Sequence, residues 1–194
     1  MLFRSRQLEQ VEIPTGVTYL GDGAFSDCQR LKKITIPAGI EQIRNYVFSR
    51  CFSLAVVHIS EGVRQIGDQA FYNCESLTQV ILPDTIESVG TQAFSYCSDL
   101  RSIRLSSAMT TLSLGTLAWC DNLENIEIPA RISLIESEAL HGLTALKWID
   151  VDPENPAYSS QEGVLYDKQE LVLIKYPSFA PARHFEIPDG VTTI

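Results

Sequence analysis

The sequence predicts a repeat solenoid: a right-handed coil of 23-residue repeats, with a parallel sheet on one face, short helical or 3-10 turns opposite, and a β-hairpin insertion near the C-terminus. Three observations carry this. Leu8, Leu31, Leu54, Leu77, Leu100, Leu123 and Leu146 stand at equal intervals with no insertion or deletion between them. Each opens a variant of one template, L-x-x-V/I-x-I-P-x-x-V/I-x-x-I-G-x-x-A-F-x-x-C. The template is interrupted once, after Val151, and resumes at Phe185. One domain over residues 1–194 follows, with an irregular insertion at about 153–181 and a partial repeat at 182–194. Both ends fall inside a repeat, with Leu2 where the template wants Phe and Ser5 where it wants Cys. The expectation is a segment of a longer array whose uncapped ends can self-associate edge to edge.

Each repeat divides into elements by its apolar periodicity. The fourth and sixth positions alternate with polar ones, as in Ile34 and Ile36, Val57 and Ile59, Val80 and Leu82, or Ile126 and Ile128, so a short strand is expected there. Pro14, Pro37, Pro83 and Pro129 are read as stopping that strand, because proline has no N–H to give a ladder. A second apolar pair follows, such as Ile40 with Ile43 or Ile86 with Val89. Gly21, Gly67 and Gly90 then allow a sharp corner. Asp22, Asn45, Asp68, Thr91 and Ser137 are placed as N-caps of one short helical turn carrying Ala24-Phe25, Val47-Phe48, Ala70-Phe71, Ala93-Phe94 and Ala139-Leu140. Each Phe is expected inside the coil, worth roughly 1.5–3 kcal/mol per rung. In the insertion, Val164–Tyr166 and Leu171–Tyr176 flank Asp167–Glu170 and read as a β-hairpin.

Charge and motifs exclude several classes of function. A net charge of −9 offers no basic footprint for nucleic acid. No apolar run approaches the ~18 residues of a membrane span, and Met1–Gln7 is too short and too charged for a secretory signal. Cys28, Cys51, Cys74, Cys97 and Cys120 recur at one template position, far from the short spacing of zinc sites. In-register thiols also suit disulfide geometry poorly, so a buried thiol ladder is expected. His58, His141 and His184 are isolated, and no H-E-x-x-H, G-x-S-x-G or phosphate-loop motif occurs. No catalytic residue, cofactor or metal is expected; Asp150, Asp152 and Glu154 are the faintest of calcium candidates.

The template, together with Asn155-Pro-Ala-Tyr158, Gly163-Val-Leu-Tyr166 and Tyr176-Pro177 in the interruption, resembles the BspA-like (treponeme-type) leucine-rich repeats over essentially the whole chain. The fifth repeat departs from it at Ser106, Ser113 and Thr116-Leu117, and the sixth at Glu136 and Leu143, which puts local corner geometry in question. The resemblance implies a cell-surface or secreted, non-enzymatic module for adhesion or protein binding, a host extracellular protein being one such partner.

Two surfaces are candidates for contact. The outward face of the sheet gathers Val56, His58 and Ile81 as an apolar spot, with Arg101 and Arg104 beside it and Trp148 towards the hairpin. The alternative patch is Tyr72, Tyr96 and Trp119, just after the Ala-Phe positions, which suits a glycan. Scattered surface apolar residues on the sheet face, and ordinary cover of the short turns at the aromatic patch, are the simpler explanations of the two sets, and a structural spacer in a longer surface protein is the third reading.

Overall fold

The computed structural model describes residues 5–194; Leu2 lies outside them. The first strand column holds β1 (Lys33–Ile36), β3 (Val56–Ile59), β5 (Gln79–Ile81), β7 (Ser102–Arg104), β9 (Asn125–Ile128) and β11 (Trp148–Val151). The second holds the two-residue strands β2 (Gln42–Ile43), β4 (Gln65–Ile66), β6 (Ser88–Val89), β8 (Thr111–Leu112) and β10 (Leu134–Ile135). All pairings within these columns are parallel, and partners differ by one repeat, as in Ile34 with Val57 or Ile43 with Ile66. The period-two pattern therefore does what the sequence requires: Ile34, Val80, Ile103, Ile126 and Ile149 point into a continuous core, and the residues between them face out.

The third side differs from the helical turns expected. No helix occurs among the described residues. In an α-helix every interior N–H bonds within its own segment; here alternate N–H groups leave the rung. Gly23, Phe25 and Asp27 donate to the Asn45, Val47 and Ser49 carbonyls of the next rung at 2.9, 2.8 and 2.9 Å. The intervening Ala24, Ser26 and Cys28 donate three residues back, at 3.1, 3.0 and 3.1 Å. Such tandem turns need two left-handed residues per rung, four apart, such as Tyr46 (φ 59°) with Arg50 (φ 62°) and Gln69 (φ 52°) with Asn73 (φ 58°). Two of the expected N-caps, Asn45 and Asp68, act between rungs instead of within one. Asn45 Oδ1 accepts the Asp68 N–H at 2.9 Å, and Asp68 Oδ1 accepts that of Thr91 at 2.8 Å.

Two of the three corner glycines, Gly67 and Gly90, are explained by space more than by backbone freedom. A Cβ on Gly67 would stand 2.8 Å from the Arg44 carbonyl carbon, and one on Gly90 2.6 Å from the Asp68 nitrogen. Where Ser113 replaces glycine the second column breaks between β6 and β8. There the Ser113 hydroxyl donates to the Val89 carbonyl at 2.6 Å, in place of the backbone bonds made by Gly67 to Ile43 and Gly90 to Ile66.

Inside the coil, Phe25, Phe48, Phe71 and Phe94 stack with centroids 5.5, 5.3 and 5.2 Å apart. The thiol ladder is present beside them. Cys51, Cys74, Cys97 and Cys120 each donate S–H to the carbonyl of Phe25, Phe48, Phe71 or Phe94, at 3.2–3.3 Å. Burial pushes these thiols well above the ordinary range, so at neutral pH they are protonated donors and not nucleophiles.

The insertion is a three-stranded antiparallel sheet, not a simple hairpin. The expected pair appears as β13 (Val164–Asp167) and β14 (Leu173–Lys175), and β12 (Tyr158–Gln161) adds to β13 through a tight turn at Glu162 and Gly163, both with φ > 0. This unit covers the outer edge of β11. Ile149 N–H donates to the Gly163 carbonyl at 3.0 Å, and Val151 N–H to the Ser160 hydroxyl at 3.1 Å. Those two groups would otherwise meet a following rung, so the insertion blunts this strand edge against edge-to-edge pairing. Asn155 and Tyr158 fasten it to the sixth rung. Fully buried Asn155 donates to the Pro129 and Ile132 carbonyls at 2.8 and 2.9 Å and accepts from the Ala157 and Tyr158 N–H groups at 2.9 Å each. The Tyr158 hydroxyl accepts the Ile135 N–H at 2.9 Å. The partial repeat packs back through Phe185 and Val191 on a small cluster of Val164, Tyr166 and Leu173.

Candidate functional site on the outer sheet face

The first strand column is not one sheet. It splits into β1-β3-β5-β7 and β9-β11, and even the larger part is held unevenly. The β1–β3 and β9–β11 junctions carry four register pairs each and β5–β7 three. Between the first rung and β1 there is one bridge, Gln10 with Lys33; between β3 and β5 one pair, Val56 with Gln79; between β7 and β9 none. The seventh template position accounts for the alternation. The later rung of every loose junction carries proline there, namely Pro37, Pro83 and Pro129, and the later rung of every tight junction carries Ser60, Ser106 or Asp152. At two tight junctions this residue closes the ladder itself: Ser60 N–H donates to the Ile36 carbonyl at 3.1 Å and Asp152 N–H to the Ile128 carbonyl at 3.0 Å. At the third, the Leu82 carbonyl is taken by Arg104 Nη1 at 3.0 Å. Proline can make no such bond. These prolines do more than end a strand, as the sequence reading had it: they open the sheet between alternate rungs.

Each loose junction is a groove. The one between β3 and β5 has a volume of about 470 Å³ and is lined by Val56, His58, Ile59, Ile81, Pro83 and Arg104, among others. Four of the six residues expected on this face therefore line one groove. Val56 and Ile81 are 57 % and 54 % exposed on its rim, high for aliphatic side chains. Arg104 reaches the groove from the next rung and is held in place by Asp84 at 2.6 Å. The Ser107 N–H and then the Arg104 guanidinium keep the Asp84 carboxyl below its usual range, so this pair is charged at neutral pH.

Arg101 and Trp148 do not line the groove. Arg101 is exposed near Glu124, whose carboxyl is lowered first by Lys147 and further by Arg101. Trp148 is half-buried with its ring over Gly163, where a Cβ would come within 2.5 Å of it, and its indole N–H donates to Asp150 at 2.8 Å. Asp152 accepts the Glu154 N–H at 2.9 Å, and no group of His, Cys, Asp or Glu among the described residues is arranged to hold a metal ion.

The alternative patch assembles on the turn side. Tyr72 meets Tyr96 edge-on at 5.5 Å, Tyr96 stacks on Trp119 at 6.0 Å, and His141, which the sequence did not single out for this patch, meets Trp119 edge-on at 4.9 Å. Tyr96 and Trp119 both sit at φ 62°, an uncommon conformation for bulky residues. Gly142 leaves room for the indole, since a Cβ there would lie 2.6 Å from Trp119 Cε3. The signal for His141 was its place one repeat on, in the same stretch after Ala139-Leu140.

Comparison with known proteins places this geometry. The BspA type leucine-rich repeat region matches in six copies, over residues 1–113 and 64–180. No curated protein sequence matches significantly. Among solved structures, the pneumococcal vaccine antigen PcpA superposes with a TM-score of 0.76 at 30 % identity, covering 83 % of this chain and 40 % of that one. A leucine-rich cell surface protein from Faecalibacterium prausnitzii A2-165 gives 0.68 at 28 % identity, covering 95 % and 58 %. A leucine-rich repeat protein from Bacteroides ovatus ATCC 8483 gives 0.62 at 25 % identity, covering 76 % and 40 %. The chain thus spans between 40 % and 58 % of the length of these relatives. With the family's repeats matched along nearly its whole length, the chain belongs to the BspA-type leucine-rich repeat family.

Proposed function

We propose that the chain is a non-enzymatic binding module of a surface protein, and that it engages a protein partner, such as a host extracellular protein, through the outward sheet face. The observation that carries this is the groove between β3 and β5, which brings exposed Val56 and Ile81 together with His58 and Arg104. Exposed aliphatic side chains beside a fixed charge are the makings of an interface anchor. The similarity to a pneumococcal vaccine antigen and to a cell surface protein supports placement at a cell surface. The aromatic column supports a glycan less well. Sugars stack on free ring faces, and the Tyr96 and Trp119 faces are turned to each other while Gly142 lies against the indole.

The test is a binding screen of the purified chain on immobilised host matrix proteins, with the double variant Val56→Ser/Ile81→Ser alongside. Both positions are exposed, so the fold is expected to persist. Saturable binding that weakens about tenfold or more in the double variant is the expected result. Binding unchanged by it, but lost in Tyr96→Ser/Trp119→Ser, would move the contact to the turn side.

A further inference from the structure

On the turn side each rung gives three N–H groups to the next, and the sixth rung has nothing to give them to. In the third rung Gln69, Phe71 and Asn73 bond the Thr91, Ala93 and Ser95 carbonyls at 2.9, 2.8 and 2.8 Å. In the fifth, Gly115, Leu117 and Trp119 bond those of Ser137, Ala139 and His141 at 3.3, 3.1 and 2.9 Å. The sixth rung holds Glu138, Leu140 and Gly142 at these positions, and their N–H groups meet no acceptor among the described residues. The insertion is the cause. β14 takes the place of the seventh rung's short strand: Val172, just before it, bridges in parallel to Thr193, which stands at the template position of Leu134. After its short strand the sixth rung uses residues 136–145 for its turn before reaching Leu146. The seventh uses only 176–178 before Phe179, whose N–H bonds the Leu146 carbonyl at 2.7 Å. The turn that would accept the three N–H groups is missing.

In its place is a notch of about 320 Å³, lined by Glu138, Leu140 and His141 of the sixth rung and by Ile174 and Lys175 of β14, among others. Leu140 is buried, and an unpaired N–H on a buried residue is a donor that a ligand oxygen can satisfy. Lys175 is half-buried, and its ammonium has no hydrogen-bond or ion-pair partner among the described residues. Burial lowers its pKa, and an incoming carboxylate would offset that. Of the two acids lining the notch, Glu136 is turned back to the preceding rung, where it accepts the Leu114 N–H at 2.7 Å, and Glu138 is exposed. The earlier junctions define what fits such an edge. The accepting turn offers carbonyls at alternate residues, as Asp68, Ala70 and Tyr72 do to the second rung, and holds left-handed residues four apart, as at Gln69 and Asn73. Three separate carbonyls take these donors in every case, so the complement is a polypeptide backbone and not a single oxyanion.

We propose that the notch binds a linear peptide of a partner protein, folded as the missing turn. Its alternate carbonyls accept the Glu138, Leu140 and Gly142 N–H groups, glycine or asparagine fills its two left-handed positions, and an acidic side chain pairs with Lys175. This contact lies apart from the sheet face and stands or falls without it.

The probe is a synthetic peptide copying residues 66–76, with glycine in place of Gln69 and Asn73 and alanine in place of Cys74, so that it keeps the acceptor register and Asp68. The control peptide has the same composition in scrambled order. Each is titrated into the intact, isotope-labelled chain while amide exchange is followed by NMR. In the free chain the Glu138, Leu140 and Gly142 amides should exchange at least about tenfold faster than those of Gln92, Phe94 and Tyr96, which have acceptors in the next rung. The probe should slow all three saturably, by about tenfold or more, and the scrambled peptide should not. Lys175→Ala removes the cation and Ile174→Trp fills the notch. Either variant that keeps its fold by circular dichroism should bind the probe about fivefold or more weakly. Three amides already protected in the free chain, no protection by the probe, or equal protection by the scrambled peptide would overturn the proposal. So would the same protection from inorganic phosphate alone, or affinity indifferent to both substitutions.

Discussion

Replacing Asn155 with Ala is expected to lower the unfolding free energy by about 3–5 kcal/mol, read from urea denaturation. The side chain is fully buried and uses its whole hydrogen-bonding capacity: both amide hydrogens reach carbonyls of the sixth rung, and its oxygen accepts two N–H groups of its own loop. Alanine leaves four polar groups without that partner, each costing about 1–3 kcal/mol where water cannot replace it. Some of them will find water as the loop loosens, which keeps the total below the sum. Asn155→Asp is the sharper variant. It keeps the acceptor but sets a carboxyl against the Pro129 and Ile132 carbonyls, which favours the protonated acid. The folded-state pKa of such an Asp is raised above the unfolded value of ~3.9, so its native state holds the extra proton. Stability of that variant should therefore fall further as pH rises from about 4 to 7, whereas that of Asn155→Ala should not. A loss below about 1 kcal/mol for Asn155→Ala would mean that the insertion is not fastened through this residue.

Phe71→Ala should cost about as much, 3–5 kcal/mol, for a different reason. Phe71 is completely buried and stacked on both sides, with Phe48 at 5.3 Å and Phe94 at 5.2 Å. Its removal leaves a cavity that the rungs cannot close, because their spacing is set by hydrogen bonds running between them, such as Phe71 N–H to the Ala93 carbonyl at 2.8 Å. In a solenoid, stability is close to a sum of rung and nearest-neighbour contributions. A defect in the third rung then uncouples the rungs on either side of it, and the urea transition should broaden or split in two as well as shift. A single sharp transition with an unchanged slope would show that the rungs fold as one unit despite the gap.

Much of the fold was legible because a fixed period lets each column be read as a set. Ile34, Val57, Val80, Ile103, Ile126 and Ile149 announce a strand facing a core whatever else changes. Column composition does not report where the backbone hydrogen bonds go. The helical turns were expected because Ala-Phe behind Asp or Asn looks like a capped helix start. The chain instead sends alternate N–H groups to the next rung, which forces left-handed residues such as Gln69 and Asn73 that no local propensity demands. Asn45 and Asp68 are cap-type residues for the same reason, but the N–H they satisfy lies one rung away. At the candidate site, the outward positions of Val56, His58, Ile81 and Arg104 followed from period two. That they line one groove depended on Pro83, and the alternation of Pro37, Ser60, Pro83, Ser106, Pro129 and Asp152 was in the sequence to be read. Its meaning needs the register, which places each of these residues beside the strand before it. On the sequence Trp148 is either an exposed anchor or a residue packed under the inserted hairpin, and the β12–β13 turn, with Gly163 under its ring, decides for the second.

The most direct test of proline-opened junctions is residue-resolved amide hydrogen exchange on the free chain. Thr35, His58, Ile81, Arg104, Glu127 and Asp150 share one template position, and the N–H of each points towards the preceding rung. His58, Arg104 and Asp150 face tight junctions and should be protected. Thr35, Ile81 and Glu127 face loose ones and should exchange at least about tenfold faster, so protection alternates along the column. Uniform protection across the six would contradict the account, because it would mean that the sheet is closed at every rung and the grooves on its face are not built by the prolines.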